Sequence, residues 1–419
     1  MINMNKLHIN IKFSIEQWLW FVIMFTLPLS IRLNSLAVLV AFIVFIIRFI
    51  VKKRNLNKSY LIFILPSIVY FIAQLLPVGP RIMNMQALKE IEQQLPLLVI
   101  PLLFLFGKLD VNQFKTAAIN AIFLSVLLGS IIMLGESVFQ YLRYGEADVF
   151  VYHELTGPFS IGAIFFSLFV IIALLYIDEL DWIFIRRWFG ILCVGILTGM
   201  LFLLASKMLL ATGIVLFLIK QRHFIKENLP SRRLVTPVIF IIILILAIPF
   251  AKRVNEISNP RLDLVMEDSY TYDSPLNGLN LRVIQARLGF EMLNDNNGWL
   301  SGIGMDRCQD SLNAKYIEKG LYTGYEGTED TGYLDYNFHN QYIETLVRSG
   351  IVGIVALLIM VLIMFRVSGI YTYTTKYEIL LLLLFFITES VLERQVGIMY
   401  FCIIYSAYFP AITLKKLVK

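Results

Sequence analysis

The chain has 419 residues, of which 58% are apolar and only 16% charged, against about half and a quarter in an ordinary soluble domain. With a mean hydropathy of +0.74, that balance excludes a soluble enzyme, a disordered chain and the usual kind of nucleic-acid-binding domain. The net charge of +6 does not restore the last class, because Lys and Arg sit beside apolar blocks, as in Lys52-Lys53-Arg54, Arg186-Arg187 and Lys415-Lys416, which is the topology signal of a membrane protein.

Apolar runs of spanning length predict an all-α, polytopic membrane bundle of about twelve spans. They fall at 17–31, 36–51, 60–77, 95–107, 117–139, 158–177, 187–205, 208–220, 235–250, 347–366, 378–392 and 396–414. Basic residues precede the first run and no small-residue cleavage site follows it, so it is read as an uncleaved span. Pro96 and Pro101 predict a bend in the short fourth span, which a bundle tolerates where neighbours satisfy the freed backbone groups. The seventh and eighth share one apolar stretch, broken at Ala205-Ser206-Lys207. Lys and Arg divide 21 to 7 between the two sides once the long loop is set apart, which predicts both termini in the cytoplasm. Three cysteines, Cys193, Cys308 and Cys402, give no disulfide framework and no metal-ligand spacing.

Three units follow: a bundle of about nine spans over 1–250, an extracytoplasmic loop over 251–340, and about three closing spans over 341–419. The loop carries 14 acids against 8 bases. Its length marks it as functional or disordered, and its patterning favours order. Leu279 to Asn294 has helical spacing, Asn294 to Gly304 is a Gly- and Asn-rich turn, and Gln309 to Lys319 reads as a second helix ended by Gly320. An acidic, Tyr-rich stretch runs from Tyr322 to Tyr336, and His339 opens a third helical pattern entering the tenth span.

Lys207, Arg282, Arg287 and His339 converge on the outer face by topology. Cations at the hydrocarbon edge are functional candidates; Arg suits phosphate through its planar fork, and His exchanges a proton near neutral pH. A site for a lipid-linked diphosphate, with a base for a nearby hydroxyl, is one reading. Each residue also has a plainer one: a salt-bridged loop Arg, a capping His at a helix start, and an interfacial anchor at Lys207.

The order of these residues resembles the O-antigen ligase and polymerase family of bacterial envelopes. The resemblance is carried by Arg282-Val-Ile-Gln-Ala-Arg-Leu-Gly-Phe-Glu-Met-Leu, by Gly302-Ile-Gly304 and Asp306, by Leu312-Asn-Ala-Lys-Tyr316, and by Phe338-His-Asn-Gln-Tyr-Ile-Glu-Thr-Leu-Val-Arg-Ser-Gly350-Ile-Val-Gly353. A further block, Glu389-Ser-Val-Leu-Glu-Arg394-Gln-Val-Gly397, looks similar to the family as well. The resemblance implies a metal-independent glycosyltransferase in the bacterial inner membrane that uses an undecaprenyl-diphosphate-linked glycan as donor. Its acceptor would be lipid A–core, another lipid-linked repeat, or a protein. The family's essential His matches His339 and one essential Arg matches Arg282. A second Arg, in a Ser-Arg turn, corresponds to Lys207, which keeps the charge and loses the fork. The diphosphate contacts would be Lys207, Arg282 and Arg287, with His153 and Arg394 as secondary candidates. No cofactor and no nucleic-acid partner is expected. The alternatives are a polymerase of the same family and a transporter or flippase of lipid-linked sugars.

Overall fold

The computed structural model describes residues 13–54, 58–107, 110–159, 161–180, 187–204, 206–228, 262–272, 274–325, 327–328, 330–371 and 373–407. The ninth predicted span, 235–250, and the start of the loop at 251–261 lie outside the described residues. Among those described there is no strand. The N-terminal helices are α1 (Ile15–Thr26), α2 (Ile31–Val51), α3 (Lys58–Leu75), α4 (Met85–Gln94), α5 (Pro96–Phe106), α6 (Val111–Tyr144), α7 (Tyr152–Leu155), α8 (Ala163–Leu175), α9 (Arg187–Leu203) and α10 (Lys207–Asn228). The loop holds α11 (Leu262–Val265), α12 (Gly278–Asp295) and α13 (Cys308–Glu318), and α14 (Gln341–Tyr371), α15 (Tyr373–Thr388) and α16 (Gln395–Ala407) close the fold.

Three described helices are long and apolar enough to cross a membrane: Ile31–Val51, Val111–Tyr144 and Gln341–Arg366. Six shorter apolar ones accompany them. The bundle is therefore helical and apolar as expected, while the described helices do not by themselves establish twelve crossings. The fourth span is α5, which keeps Pro101 inside the helix and begins with Pro96 at its first turn, where a missing N–H costs nothing. Ahead of it lies α4, an amphipathic helix the apolar-run count does not register because its sequence, MQALKEIEQQ, is mostly polar.

The large apolar core packs α1, α3, α5, α6, α8, α14, α15 and α16 around residues such as Trp20, Phe123, Phe166, Phe169, Phe386 and Tyr405, all essentially without exposure. Some buried polar groups inside it find backbone partners, which offsets the cost of leaving water: Asn34 Nδ2 donates to the Ile23 carbonyl at 2.7 Å, and Tyr60 OH to the Pro101 carbonyl at 2.9 Å. One end of the bundle carries an ionic collar. Lys115 pairs with Glu179, Lys220 with Asp178, and Thr374 Oγ1 donates to Glu179. Glu378, at the start of the eleventh predicted span, accepts from Tyr176 and Tyr400. The spans are thus less free of charge than their apolar runs suggest.

The loop builds its own small core from Val265, Tyr270, Ile284, Leu288, Met292, Leu293, Ile303, Cys308, Leu312, Tyr316, Leu321 and Phe338, closed against Val347 of α14. The predicted helices 279–294 and 309–319 are α12 and α13 to within a residue. Asn277 caps α12 by accepting from the N–H groups of Leu279 and Asn280.

The loop is also woven into α14. That helix is broken at Gly350, whose φ of 65° and ψ of −164° are not helical. Residues 299–304 insert at the break. Ile351 N donates to the Trp299 carbonyl at 2.9 Å and Val352 N to the Leu300 carbonyl at 3.3 Å. On the other side, Ile303 N donates to the Val347 carbonyl at 2.9 Å and Gly304 N to that of Arg348 at 3.2 Å. These partners replace the i to i−4 bonds a continuous helix would make between the same residues. The approach is close enough to demand glycine: a Cβ on Gly302 would lie 2.3 Å from the Arg348 carbonyl oxygen, and one on Gly350 2.3 Å from that of Leu300. Gly302 of the loop and Gly350 of α14 therefore serve this backbone contact.

Candidate active site at the base of the loop

Five residues between α15 and α16, 389–393, are the anchor on which the site is built. Glu389 follows the last turn of α15, its N–H bonded to the Phe385 carbonyl. Its carboxylate splits between two partners: Oε2 lies 3.2 Å from His339 Nδ1, and Oε1 lies 3.9 Å from Arg282 Nη2. Residues 57 positions apart in sequence are thereby joined through one acid. A carboxylate only accepts, so Nδ1 carries the proton in this hydrogen bond, and His339 Nε2 is left as the basic nitrogen.

The surroundings fix these three side chains. Asn340 caps α14 by accepting from the N–H groups of Tyr342 and Ile343, and its Nδ2 reaches the Ile387 carbonyl at 3.2 Å. Gln341 Oε1 accepts from Leu392 N at 2.5 Å. Asn337 donates to Glu393 at 2.6 Å and accepts from His339 N at 2.9 Å. Arg348 bridges Glu393, at 2.8 Å, and Glu90 of α4. Ser390 Oγ donates to the buried Glu344 at 3.1 Å. The run His339-Asn340-Gln341 is thus pinned to the last turn of α15 and the turn after it by all three side chains. Deeper in, Tyr70 of α3 meets Thr345 at 3.1 Å, tying the same half of α14 to the bundle.

His339 itself is held at φ 45° and Tyr152, on the short α7, at φ 55°. A non-glycine residue in the left-handed region costs energy that the surrounding structure must supply, and such residues concentrate at functional sites. The Tyr152 hydroxyl is pushed up by burial, then by Glu389 and Tyr336, against the opposing effect of Arg282. Tyr152 therefore shares the field of the His339 cluster. Its neighbour His153 is exposed, with its ring 4.0 Å from that of Tyr152, at the margin of the cluster.

The remaining candidates divide. Arg287 faces away from His339: it pairs with Glu291 at 2.9 Å and donates to the carbonyls of Val265 and Glu267 at 2.7 and 2.8 Å, which latches α11 onto α12. Arg394 is exposed at the end of the 389–393 turn and makes no ion pair among the described residues. Lys207 is the first residue of α10. At the far end of the bundle Lys220 of α10 and Thr374 of α15 both meet 178–179. From there to Lys207 is 13 residues and to Thr388 is 14, roughly 20 Å of helix each at 1.5 Å per residue. The start of α10 and the end of α15 therefore lie about equally far along their helices from that collar. Among the described residues, no group of three His, Cys, Asp or Glu side chains is arranged to hold a metal ion.

Glu389 is the residue that a search for cations passes over. The block containing it stands out in the sequence, and an ionisable group closing an apolar span is itself a functional signal. What the sequence does not carry is its pairing with two residues of the loop.

Fold and site together define an apolar protein, helical over its described residues, in which a structured polar loop brings a His and an Arg to one carboxylate at the end of the bundle. A family model described as O-antigen ligase matches residues 203–358, a segment that holds Lys207, Arg282 and His339. Over this segment the chain is similar to the O-antigen ligase family. No curated protein matches the chain.

Proposed function

We propose that the protein transfers a glycan from an undecaprenyl-diphosphate-linked donor to an acceptor hydroxyl, with lipid A–core as the acceptor. The reaction runs on the outer face of the bacterial inner membrane, with both termini cytoplasmic, the loop 251–340 periplasmic and no metal required. The observation that carries this reading is the Glu389 carboxylate shared between His339 and Arg282.

The diphosphate is already a good leaving group, so the reaction needs position and charge neutralisation more than a covalent intermediate. The bond from the sugar's anomeric carbon to the phosphate oxygen breaks, and a bond from that carbon to the acceptor oxygen forms. His339 Nε2 takes the acceptor's proton while Glu389 stabilises the imidazolium. Arg282 and Lys207 take the negative charge growing on the departing diphosphate, and His153 and Arg394 stand at the margins. Arg287, latched to α11, supports the loop instead.

The test is transfer in vitro from purified lipid-linked donor, with donor binding followed separately. His339→Ala slows transfer by about 10²–10⁴ while the donor still binds. Wild-type rates in that variant would end the assignment. Supplying lipid A–core and a second lipid-linked repeat in parallel separates ligase from polymerase by the product.

A further inference from the structure

Five tyrosines of the loop make a continuous run of ring contacts that begins at His339. The Tyr336 ring stands edge-on to the His339 ring at 5.8 Å. Tyr333 lies 5.9 Å from Tyr336, and Tyr322 lies 6.2 Å from Tyr333. Tyr272 and Tyr325 complete the run at 4.8 and 5.8 Å from Tyr322, with 5.2 Å between them.

Tyr333 packs against the loop core and Tyr322 is half-buried, but the other three rings are not core. Tyr316 and Tyr270 show what a packing tyrosine looks like in this loop, at 0% and 6% exposure. Tyr336, Tyr272 and Tyr325 are 44%, 48% and 57% exposed. Exposed aromatic rings gathered in one place are costly to leave in water and mark an interaction surface.

The surface is also built. Tyr333 N donates to the Tyr322 carbonyl at 2.8 Å, and Thr328 N to that of Tyr325 at 3.1 Å. Asp330 accepts from the Tyr322 hydroxyl and from Gly332 N. Gly324 and Gly332 both have positive φ, and a Cβ on either would strike the backbone of the facing segment of the loop. Asn313 and Asp335 lock the approach to Tyr336 through paired hydrogen bonds of 2.9 and 3.0 Å.

Charge restricts the occupant. The loop 251–340 holds 14 acids and 8 bases, which disfavours nucleic acid and anionic lipid surfaces. Aromatic faces interleaved with carboxylates and side-chain amides suit a neutral polyhydroxylated ligand: the rings take its C–H faces, and the polar groups take its hydroxyls. The run starts at His339, so whatever lies along it is continuous with the reacting end.

We propose that Tyr336, Tyr333, Tyr322, Tyr272 and Tyr325 form a binding track for several successive sugar units of the glycan, leading away from His339. The proposal rests on the reading of His339 as the centre of glycan transfer, and deepens it by assigning where the rest of the chain lies.

The experiment measures binding of the full chain in nanodiscs to glycan released by mild acid from the host's own lipid-linked pool. The probe has no lipid and no diphosphate, and dextran of matched size is the control. Replacing both exposed outer rings, Tyr272→Ala with Tyr325→Ala, weakens binding roughly tenfold at the scale of two aromatic contacts. The double Phe replacement retains binding within about twofold, which excludes a fold defect. Unchanged affinity in the Ala pair overturns the track, as does an equal loss in the Phe pair. Loss of self-association in the Ala pair, with glycan affinity intact, also overturns it by making the rings a contact between copies of the chain.

The two readings fail separately. Glycan binding that depends on the rings, in a chain that transfers from no donor, sustains the track and removes the transferase assignment. Transfer that proceeds while binding ignores the rings does the reverse. With a functioning transferase, the Ala pair raises KM for a long-chain donor more than for a single-repeat donor, and an equal rise for both counts against the track.

Discussion

Glu389→Gln isolates what the shared carboxylate contributes, because the side chain keeps its size and loses its charge. In the wild type the carboxylate holds His339 Nδ1 at 3.2 Å and Arg282 at 3.9 Å. All three side chains are between a fifth and a third exposed, so the interactions are partly screened. A unit-charge pair at about 4 Å is worth about 1 kcal/mol in water and about 4 kcal/mol at the effective dielectric near a protein surface. Side-chain ordering and salt reduce that figure. Hydrogen bonds to charged groups contribute about 1.5–3 kcal/mol, which corresponds to a roughly ten- to hundredfold loss of transfer rate. The effect on donor binding has the opposite sign. In the proposed site Glu389 competes with the diphosphate for Arg282, so its neutralisation leaves donor affinity equal or higher. The assay is single-turnover transfer at saturating donor, paired with equilibrium binding of the same donor, in protein whose thermal unfolding matches wild type. A drop in rate with affinity maintained supports the arrangement. An unchanged rate, or a parallel loss of rate and affinity, refutes it.

Gly350→Ala puts a methyl 2.3 Å from the Leu300 carbonyl oxygen at a left-handed φ of 65°, so it costs at least about 1–3 kcal/mol; unchanged thermal unfolding in detergent would contradict the inserted-loop geometry. Burial works against the Glu291 carboxylate, but Arg287 and Lys319 still hold it below the ordinary carboxylate range. A lowered folded-state pKa gives stability that is present above the unfolded value, near 4.3, and lost as pH falls through the folded one, so hydrogen exchange at 262–268, corrected for intrinsic rate, accelerates on acidification; equal protection at pH 6 and pH 3 counts against the latch. If Lys207 contacts diphosphate, Lys207→Ala reduces transfer roughly ten- to a hundredfold and Lys207→Arg retains it; full activity of the alanine variant returns this residue to an anchoring role. A cysteine at Thr323 reacts with a membrane-impermeant reagent in intact cells and one at Asn228 does not, and the reverse pattern overturns the orientation.

The elements of this fold differ in how plainly they are written in the sequence, and the difference is physical. Long apolar runs announce helices because nothing else satisfies a backbone in lipid, and α12 and α13 announce themselves by period and by stop signals. Helix α4 does not, since its amphipathic sequence is set by what it packs against: Ala87 and Gln94 are buried, Gln94 on the Leu392 carbonyl. The break in α14 is harder still. Gly350 reads as an ordinary glycine in an apolar helix, and only the backbone of 299–304, some 50 positions away, turns it into a splice.

The same logic applies to the site. His339, Arg282 and Lys207 stand out one at a time, because bases are a minority on the outer face that the topology predicts and His is scarce in the chain. Arg287 stands out equally and is committed to carbonyls of the loop. What separates Arg282 from Arg287, five residues further along α12, is a rotation of the helix: at about 100° per residue, five residues bring the chain about 140° around the axis. One guanidinium then points to the turn after α15 and the other to α11. Residue type identifies which groups can bind a diphosphate. Which of them meets His339 through one acid is decided by Glu389, in a contact that no local pattern in the sequence encodes.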